Sequence, residues 1–444
     1  MDSIDVTNLD FYLGKTFTCS CGKEHTVPVQ EIIYNTDALH QMSEICRTYV
    51  NGNSVVVIAD ERTWQVAGER AYQELELKNW QVGKYIVPDE EHGTPVCNDV
   101  THDTLCKELP QADFFLAVGS GVINDLTKWV AFDRHIPYAV VATAASMNGY
   151  TAANVATCIQ GVKGLFFARS PFAVFAEPRV IVEAPFEMTA AGFGDQMAKP
   201  ISTADWVMNH FLFDEYFCST CSEMITHLDT QYMAHPEKIK ARNPESIQAL
   251  FQSLLYSGIT MSLVGSSAPA SGGEHMFSHT LDMIALTYQK PHDLHGKQVG
   301  LGCIFAAALY EKILEIKAPS WKFLPVEIDR DFWGPIADAV AHEYAQKQPS
   351  LQTMRDKLSD VHTWQLFLEQ LKPRLRSPQQ IKEALQAAGA VHCIMDLKCS
   401  ADQVLTALQH QHEIRQRVTV IDLAWSLGLL PACIDDIMQA WLMS

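Results

Sequence analysis

Between Asn53 and Val182, short β-branched apolar runs alternate with stretches of helical spacing, and this alternation restricts the fold more than any other feature of the chain. NSVVVIAD is followed by the helix-like RTWQVAGERAYQELE, and KYIVP by NDVTHDTLCKEL. DFFLAVGSG leads into the amphipathic VINDLTKWVAFDRH, and PYAVVAT comes next. Strands that are apolar throughout and separated by helices belong to a parallel sheet covered on both faces. The segment therefore reads as a Rossmann-like, doubly wound α/β domain. VATCI, FAVFAE and RVIV read as further strands, forming an antiparallel extension or hairpin. Beyond about Pro185 the apolar residues recur every three to four positions, as in Met188 to Trp206, Asp214 to Met233, Pro244 to Leu263, His275 to Tyr288 and Gly296 to Leu314. The expected division is an N-terminal extension (1–52) packed on the first domain, a nucleotide-binding α/β domain (53–185), and an all-α domain (186–444) for metal and substrate.

A chain of 444 residues exceeds one ordinary core, and 48% hydrophobic with 19% charged residues fits folded domains. A net charge of −19 without any Lys/Arg block argues against nucleic acid as a partner. The acidic start MDSIDVTNLD lacks the basic and apolar regions of a signal peptide, and no uninterrupted apolar run reaches membrane length. A cytoplasmic protein with no membrane span is expected, its twelve cysteines reduced. Cys19, Cys21 and His25 in TCSCGKEH resemble half of a zinc site, but an evident fourth ligand is missing. A small hairpin turned by CSCG is the preferred reading.

LAVGSGVIND follows an apolar strand and opens a helix. Its glycines permit close backbone approach to a pyrophosphate, and the first N–H groups of the helix offer donors. The third glycine of the usual dinucleotide fingerprint is absent, and the same pattern also makes an ordinary tight turn. Asp60, at the end of VVVIAD, is placed to hold ribose hydroxyls or to cap a helix. Thr143 and Ser146, after PYAVVA, can donate to phosphate, ribose or their own backbone.

The block GGEHMFSH…PHDLHGK holds His275, His279, His292 and His295, and Asp195 lies beside Gly194 upstream. His275 and His279 share a helix face. Oxygen and nitrogen ligands from three residues leave a position open for substrate, as catalytic metals require. Imidazole and carboxylate suit zinc, nickel, iron or manganese. Glu274 or Asp293 is a candidate outer partner for a ligating imidazole. Lys199, one turn beyond Asp195, is the candidate cation for a substrate phosphate.

The ordered set GSGVINDLTK, TAASMNGYTA, AAGFGDQMAKPISTADW, PASGGEHMFSH and LHGKQVGLG resembles the sn-glycerol-1-phosphate dehydrogenase family. That family sits within the metal-dependent glycerol dehydrogenase and dehydroquinate synthase superfamily, so a dehydroquinate synthase-like fold is expected. The resemblance runs from about Ser54 onward, including QRVTVIDLAWSLGLL. It implies reversible reduction of dihydroxyacetone phosphate, a phosphorylated triose, to sn-glycerol 1-phosphate with NADH or NADPH, an activity of phospholipid metabolism. It also implies one divalent metal, zinc before nickel or iron, on Asp195, His275 and His295. His279 would then face substrate, and the cofactor phosphates would lie on Gly119, Ser120, Gly121, Val122 and Ile123, with Asp125, Thr143 and Ser146 nearby and Asp60 on the adenosine side. The chain departs from the family at Asn148, usually Asp and a substrate contact, and at Ala152, usually Ser; Thr151 is a candidate substitute for that hydroxyl. The alternatives are a glycerol or other polyol dehydrogenase, a dehydroquinate synthase-like lyase, and a nucleotide-binding sensor without catalysis. Symmetry frequency favours a homo-oligomer.

Overall fold

The structure is a computed structural model that describes Asp5 and residues 8–90, 93–291, 293–323 and 325–443; His292 lies outside the described residues. Near the start, β1 (Thr16–Thr18) and β2 (Glu24–Thr26) pair antiparallel around the CSCG turn, as expected. The main sheet has six strands: β3 (Glu31–Tyr34), β4 (Ser54–Ala59), β5 (Gln81–Ile86), β6 (Phe114–Gly119), β7 (Tyr138–Ala142) and β10 (Ala173–Ala176). Their order is β3-β10-β7-β6-β4-β5, and every pairing is parallel. Alternate residues Val55, Val57, Phe114, Leu116, Val118, Val141 and Phe175 share one buried face, covered by Leu39, Met42, Ala71 and Leu75 of flanking helices. Each such aliphatic or aromatic side chain contributes roughly 1.5–3 kcal/mol when removed from water. The chain passes from β4 to β5 on one side and returns to β6 on the other, which makes the carboxyl ends of β4 and β6 a switch point.

The three further strands expected from the sequence fared differently. VATCI lies in β8 (Asn154–Ile159), which forms a two-stranded sheet with β9 (Val162–Phe167) across a Gln160-Gly161 turn. FAVFAE supplies β10 of the main sheet, not an antiparallel extension. RVIV is not a strand: it falls in the helix Pro178–Glu183. Pro178 takes the first helical position, where its fixed φ starts a helix and its missing N–H costs nothing.

The chain divides into two units, one of residues 1–159, 164–192 and 219–266, the other of 160–163, 193–218 and 267–444. Besides the short stretches 160–163 and 186–192, two segments fall outside the expected limits. β3, within the presumed extension, is an edge strand of the sheet because it bonds along β10 from Glu31 to Tyr34. Residues 219–266, expected in the helical part, join the sheet unit through Pro244–Val264. Thr151 Oγ1 donates to the Leu255 carbonyl, and Ala153 N donates to Ser262 Oγ at 2.9 Å. That helix alone among those described has the length and mean hydropathy (1.3) to cross a membrane, yet 72% of the stretch is buried. Its apolarity serves packing within the sheet unit. The second unit is built almost entirely of helices, including Lys199–Phe213, Gly273–Tyr288 and His295–Leu314.

Behind the turn after β6, in the helix Gly121–Asp133, the fully buried Lys128 donates to Asp125 Oδ1 (2.9 Å), the Gly149 carbonyl (2.9 Å) and the Asn154 carbonyl (2.7 Å). Removing the ammonium strands a largely buried carboxylate. Lys128→Met is expected to cost about 3–5 kcal/mol, read as a lower denaturant midpoint at unchanged m-value; an unaltered midpoint contradicts this role.

Candidate active site

Asp195 stands near the end of the helix Phe186–Gln196, His275 in the first turn of Gly273–Tyr288, and His295 at the start of His295–Leu314. Two close helix crossings bring these ends together. A Cβ on Gly194 would lie 2.2 Å from the Gly296 carbonyl oxygen, and one on Gly302 would lie 2.2 Å from the Glu274 carbonyl oxygen. Only glycine permits backbones to approach this closely.

The result is a compact donor set. One ligand atom each from Asp195, His275 and His295 falls within 4.8 Å of the others, and His275 Nε2 lies 3.7 Å from Asp195 Oδ1. Glu274 Oε1 accepts from Gly272 N at 2.7 Å and sits 2.7 Å from His275 Nδ1. That oxygen is already an acceptor, so Nδ1 carries the proton and Nε2 is left with its lone pair toward Asp195. Glu274 is the outer partner foreseen for a ligating imidazole. Asp293 does not fill that role for His295: its oxygens take Leu294 N (2.9 Å), Lys398 N (3.0 Å) and Lys297 Nζ (3.0 Å). Ser278 Oγ, at 2.9 Å, holds His295 Nδ1 instead. Burial, and then the neighbouring His295, push the His275 pKa well below its usual value. A neutral imidazole is the form that ligates metal. His279 stands one turn along, its ring centroid 5.8 Å from His275 and 5.9 Å from His295, outside the donor set. Burial and the charge of Arg415 lower its pKa as well.

Lys199 is not the open cation expected for a phosphate. It is 2% exposed, donates to the Asp195 carbonyl (3.2 Å) and the Ala270 carbonyl (3.5 Å), and lies 3.9 Å from Asp195 Oδ1. The helical-turn spacing aims it at Asp195 itself, and packing closes over it. Three other residues escaped the reading of the sequence. Asp205, of the ADW segment, accepts from Gly273 N at 2.6 Å and Val420 N at 3.0 Å, and also from the Tyr310 hydroxyl. It thereby anchors the helix that carries His275, and burial beside Glu274 pushes its pKa up to about 7. Ser278 is the second. The third is Arg415, half-buried at a left-handed φ of 66°, which donates to Ser271 Oγ (2.9 Å) and Ser267 Oγ (2.8 Å). The QRVTV motif marked its neighbourhood but gave no role to its charge.

In the sheet unit, Gly119 ends β6 and Ser120 precedes the helix Gly121–Asp133. A Cβ on Gly119 would meet Ile123 Cβ at 2.8 Å, whereas one on Gly121 would find its nearest neighbour, Met147 Cγ, at 3.5 Å. The first glycine is required by packing; the second leaves room over the leading N–H groups of Gly121, Val122 and Ile123. Ser146 Oγ hydrogen-bonds Ser120 Oγ, and Thr143 N bonds the Gly119 carbonyl at 3.2 Å, which ties both residues to this turn. Asp60 follows β4 across the switch point and does cap a helix, Oδ1 accepting from Thr63 N at 2.8 Å. Asp125 turns inward, toward Lys128 and Ala156 N (3.1 Å). Asn148 is half-buried in the loop after β7. Thr151 does not replace the hydroxyl missing at Ala152, because its own hydroxyl is fully buried and donates to the Leu255 carbonyl.

A doubly wound sheet ending in a glycine turn, together with helices carrying an acid and two imidazoles, matches a dehydrogenase. The family model for iron-containing alcohol dehydrogenase matches residues 33–185, beginning with the last two residues of β3 and reaching further toward the N-terminus than the motifs did. A probable glycerol dehydrogenase from Sinorhizobium meliloti shares the fold, with a TM-score of 0.60 at 13% identity over 92% of this chain and 98% of that one. A glycerol-1-phosphate dehydrogenase [NAD(P)+] of Geobacillus thermodenitrificans is 30% identical over 80% of this chain and 88% of its own length. Its counterpart in Bacillus subtilis is 31% identical over 89% and 91%. The chain belongs to the glycerol-1-phosphate dehydrogenase family, and it is an enzyme.

Gly302→Val is expected to push the Glu274–His275 turn away from His295. Overpacking costs roughly 1–3 kcal/mol, and metal retained after dialysis, measured by mass spectrometry, should fall well below that of the unaltered chain. Full retention contradicts the crossing's role.

Proposed function

We propose that this chain reduces dihydroxyacetone phosphate reversibly to sn-glycerol 1-phosphate, using NADH or NADPH and one divalent metal on Asp195, His275 and His295. The observation that carries the reading is the convergence of those three side chains, with the His275 tautomer fixed by Glu274. One carboxylate and two imidazoles fit a catalytic divalent ion with an open position. Zinc comes first among the candidates, with nickel and iron as alternatives. When bound, such an ion polarises a carbonyl oxygen, and the nicotinamide supplies hydride.

The residues of the chain account for the rest. Glu274 and Ser278 orient the two imidazoles, and Lys199 sets the electrostatics behind Asp195. His279, a neutral imidazole beside the donor set, holds the position from which a proton passes between the substrate oxygen and solvent. Arg415, half-buried and fixed by Ser267 and Ser271, replaces Lys199 as the cation for the substrate phosphate. Asn148 keeps the hydrogen-bonding capacity of the family's aspartate and drops its charge, which eases the approach of an anionic substrate. On the nucleotide side, Gly119, Ser120, Gly121, Val122 and Ile123 cradle the pyrophosphate, with Thr143 and Ser146 beside them and Asp125 bracing the turn through Lys128. Asp60 serves ribose hydroxyls and favours NADH, while Arg62, 3.6 Å from Asp60, offers charge to a 2′-phosphate. A homo-oligomer in the cytoplasm fits the size of the chain and its twelve cysteines, none in a disulfide.

The second reading is a dehydrogenase of unphosphorylated polyols, favoured by Asn148 alone. Oxidation of NADH with dihydroxyacetone phosphate and dihydroxyacetone in parallel separates the two; preference for the unphosphorylated ketone overturns the first. Asp195→Ala and His275→Ala should each abolish metal retention and turnover together, and full activity in a metal-free variant contradicts the ligand set. Arg415→Ala should raise KM for the phosphorylated substrate by roughly ten- to a hundredfold, as loss of a hydrogen bond to a charged group implies, while sparing KM for dihydroxyacetone. An equal change for both substrates removes Arg415 from phosphate binding.

A further inference from the structure

The β1–β2 hairpin has strands of only three residues each, too short to be stable on their own. It nevertheless buries two side chains of metal-ligating type: Cys19, before the turn, is 1% exposed and His25, in β2, is 3% exposed. Ligand atoms of Cys19, Cys21 and His25 fall within 4.8 Å of one another, and Cys21 Sγ lies 3.4 Å from His25 Nε2. Around a tetrahedral zinc, sulfur and nitrogen ligands stand about 3.4–3.8 Å apart, given zinc–ligand bonds of about 2.0–2.3 Å. His25 Nδ1 lies 3.0 Å from the Leu263 carbonyl oxygen. A carbonyl can only accept, so Nδ1 carries the proton and Nε2 turns its lone pair toward Cys21. That is the tautomer of a ligating histidine held by an outer carbonyl.

The fourth ligand that TCSCGKEH lacks comes from far along the sequence. Thr220, in the first turn of the helix Ser219–Met233, places its Oγ1 3.2 Å from Cys19 Sγ and 3.1 Å from Ser20 Oγ. Thr220 belongs to the segment Cys218-Ser219-Thr220-Cys221, so the helix start that meets the hairpin carries a thiol on each side of this residue. One thiol of this segment, added to Cys19, Cys21 and His25, makes up the four ligands that a structural zinc takes. We propose that Cys19, Cys21, His25 and one thiolate of the 218–221 segment bind a structural zinc ion, distinct from the catalytic metal. The ion pins the N-terminal hairpin to the Ser219–Met233 helix across some 201 residues of chain. Closing so long a loop restricts the unfolded chain, and three or four deprotonated or neutral soft donors suit zinc over magnesium or calcium.

The test uses the full chain loaded with zinc alone. The catalytic set offers only oxygen and nitrogen, and the other described clusters that could hold an ion, His102-Cys106-Asp133 and His392-Cys393-Asp396, offer one sulfur each, so two or more sulfur neighbours per zinc in zinc-edge X-ray absorption report this site. The wild-type protein should show zinc–sulfur scattering and bind a further zinc equivalent that survives Asp195→Ala. Cys19→Ser with Cys21→Ser should lose that equivalent and lower Tm, as should either Cys218→Ser or Cys221→Ser. Where the double variant fails to fold, the wild-type spectrum decides. Absence of sulfur scattering in the zinc-loaded wild type, or its persistence through every one of these substitutions, overturns the proposal. Loss of the Asp195-dependent metal alone bears on the catalytic site and leaves this one standing.

Discussion

The donor set depends on helix backbones packed closer than side chains normally allow. Asp195, His275 and His295 come from three different helices, and none can reach the others unless those helices meet within a few ångströms of their ends. Gly194 against Gly296, and Gly302 against the backbone of Glu274, make that meeting possible. Asp205 then fixes it, since its carboxylate takes the Gly273 and Val420 amides and draws the helix start inward. The geometry of the site is thus set by backbone contacts, with the ligands following from where the helix ends fall.

Electrostatics follow from the same burial. The protein carries a net charge of −19, yet the substrate proposed for it is anionic. Local cations must offset the global field over a few ångströms. Lys199 lies behind Asp195, too deep and too engaged with carbonyls to meet a phosphate, whereas Arg415 is held by two hydroxyls and keeps part of its surface exposed. Burial also pushes His275 and His279 toward the neutral form, which suits the roles proposed for them.

Much of this was legible in the sequence, for reasons that differ from place to place. The runs that became β4, β6 and β7 are apolar on both faces, and only a covered parallel sheet uses such strands. β3 escaped notice because EIIY is short and half-buried at a sheet edge. RVIV misled because its β-branched composition speaks for a strand while Pro178 in front of it starts a helix. His275 and His279 stood out through their four-residue spacing, with His295 as a third imidazole nearby, and the family resemblance set His279 apart from the ligands. The positions of Lys199, Ser278 and Arg415 depend on contacts between residues distant in sequence, which periodicity cannot convey. TCSCGKEH was readable as half a site because its other half lies two hundred residues away.

Anomalous diffraction from crystals grown with zinc bears most directly on the account, because it locates the ion without reference to turnover. A peak bonded to an Asp195 oxygen and to Nε2 of both His275 and His295, with His279 beyond bonding distance, is the expected result. Density for the ion on His279 in place of His295, or none among these side chains in an active crystal, would contradict it.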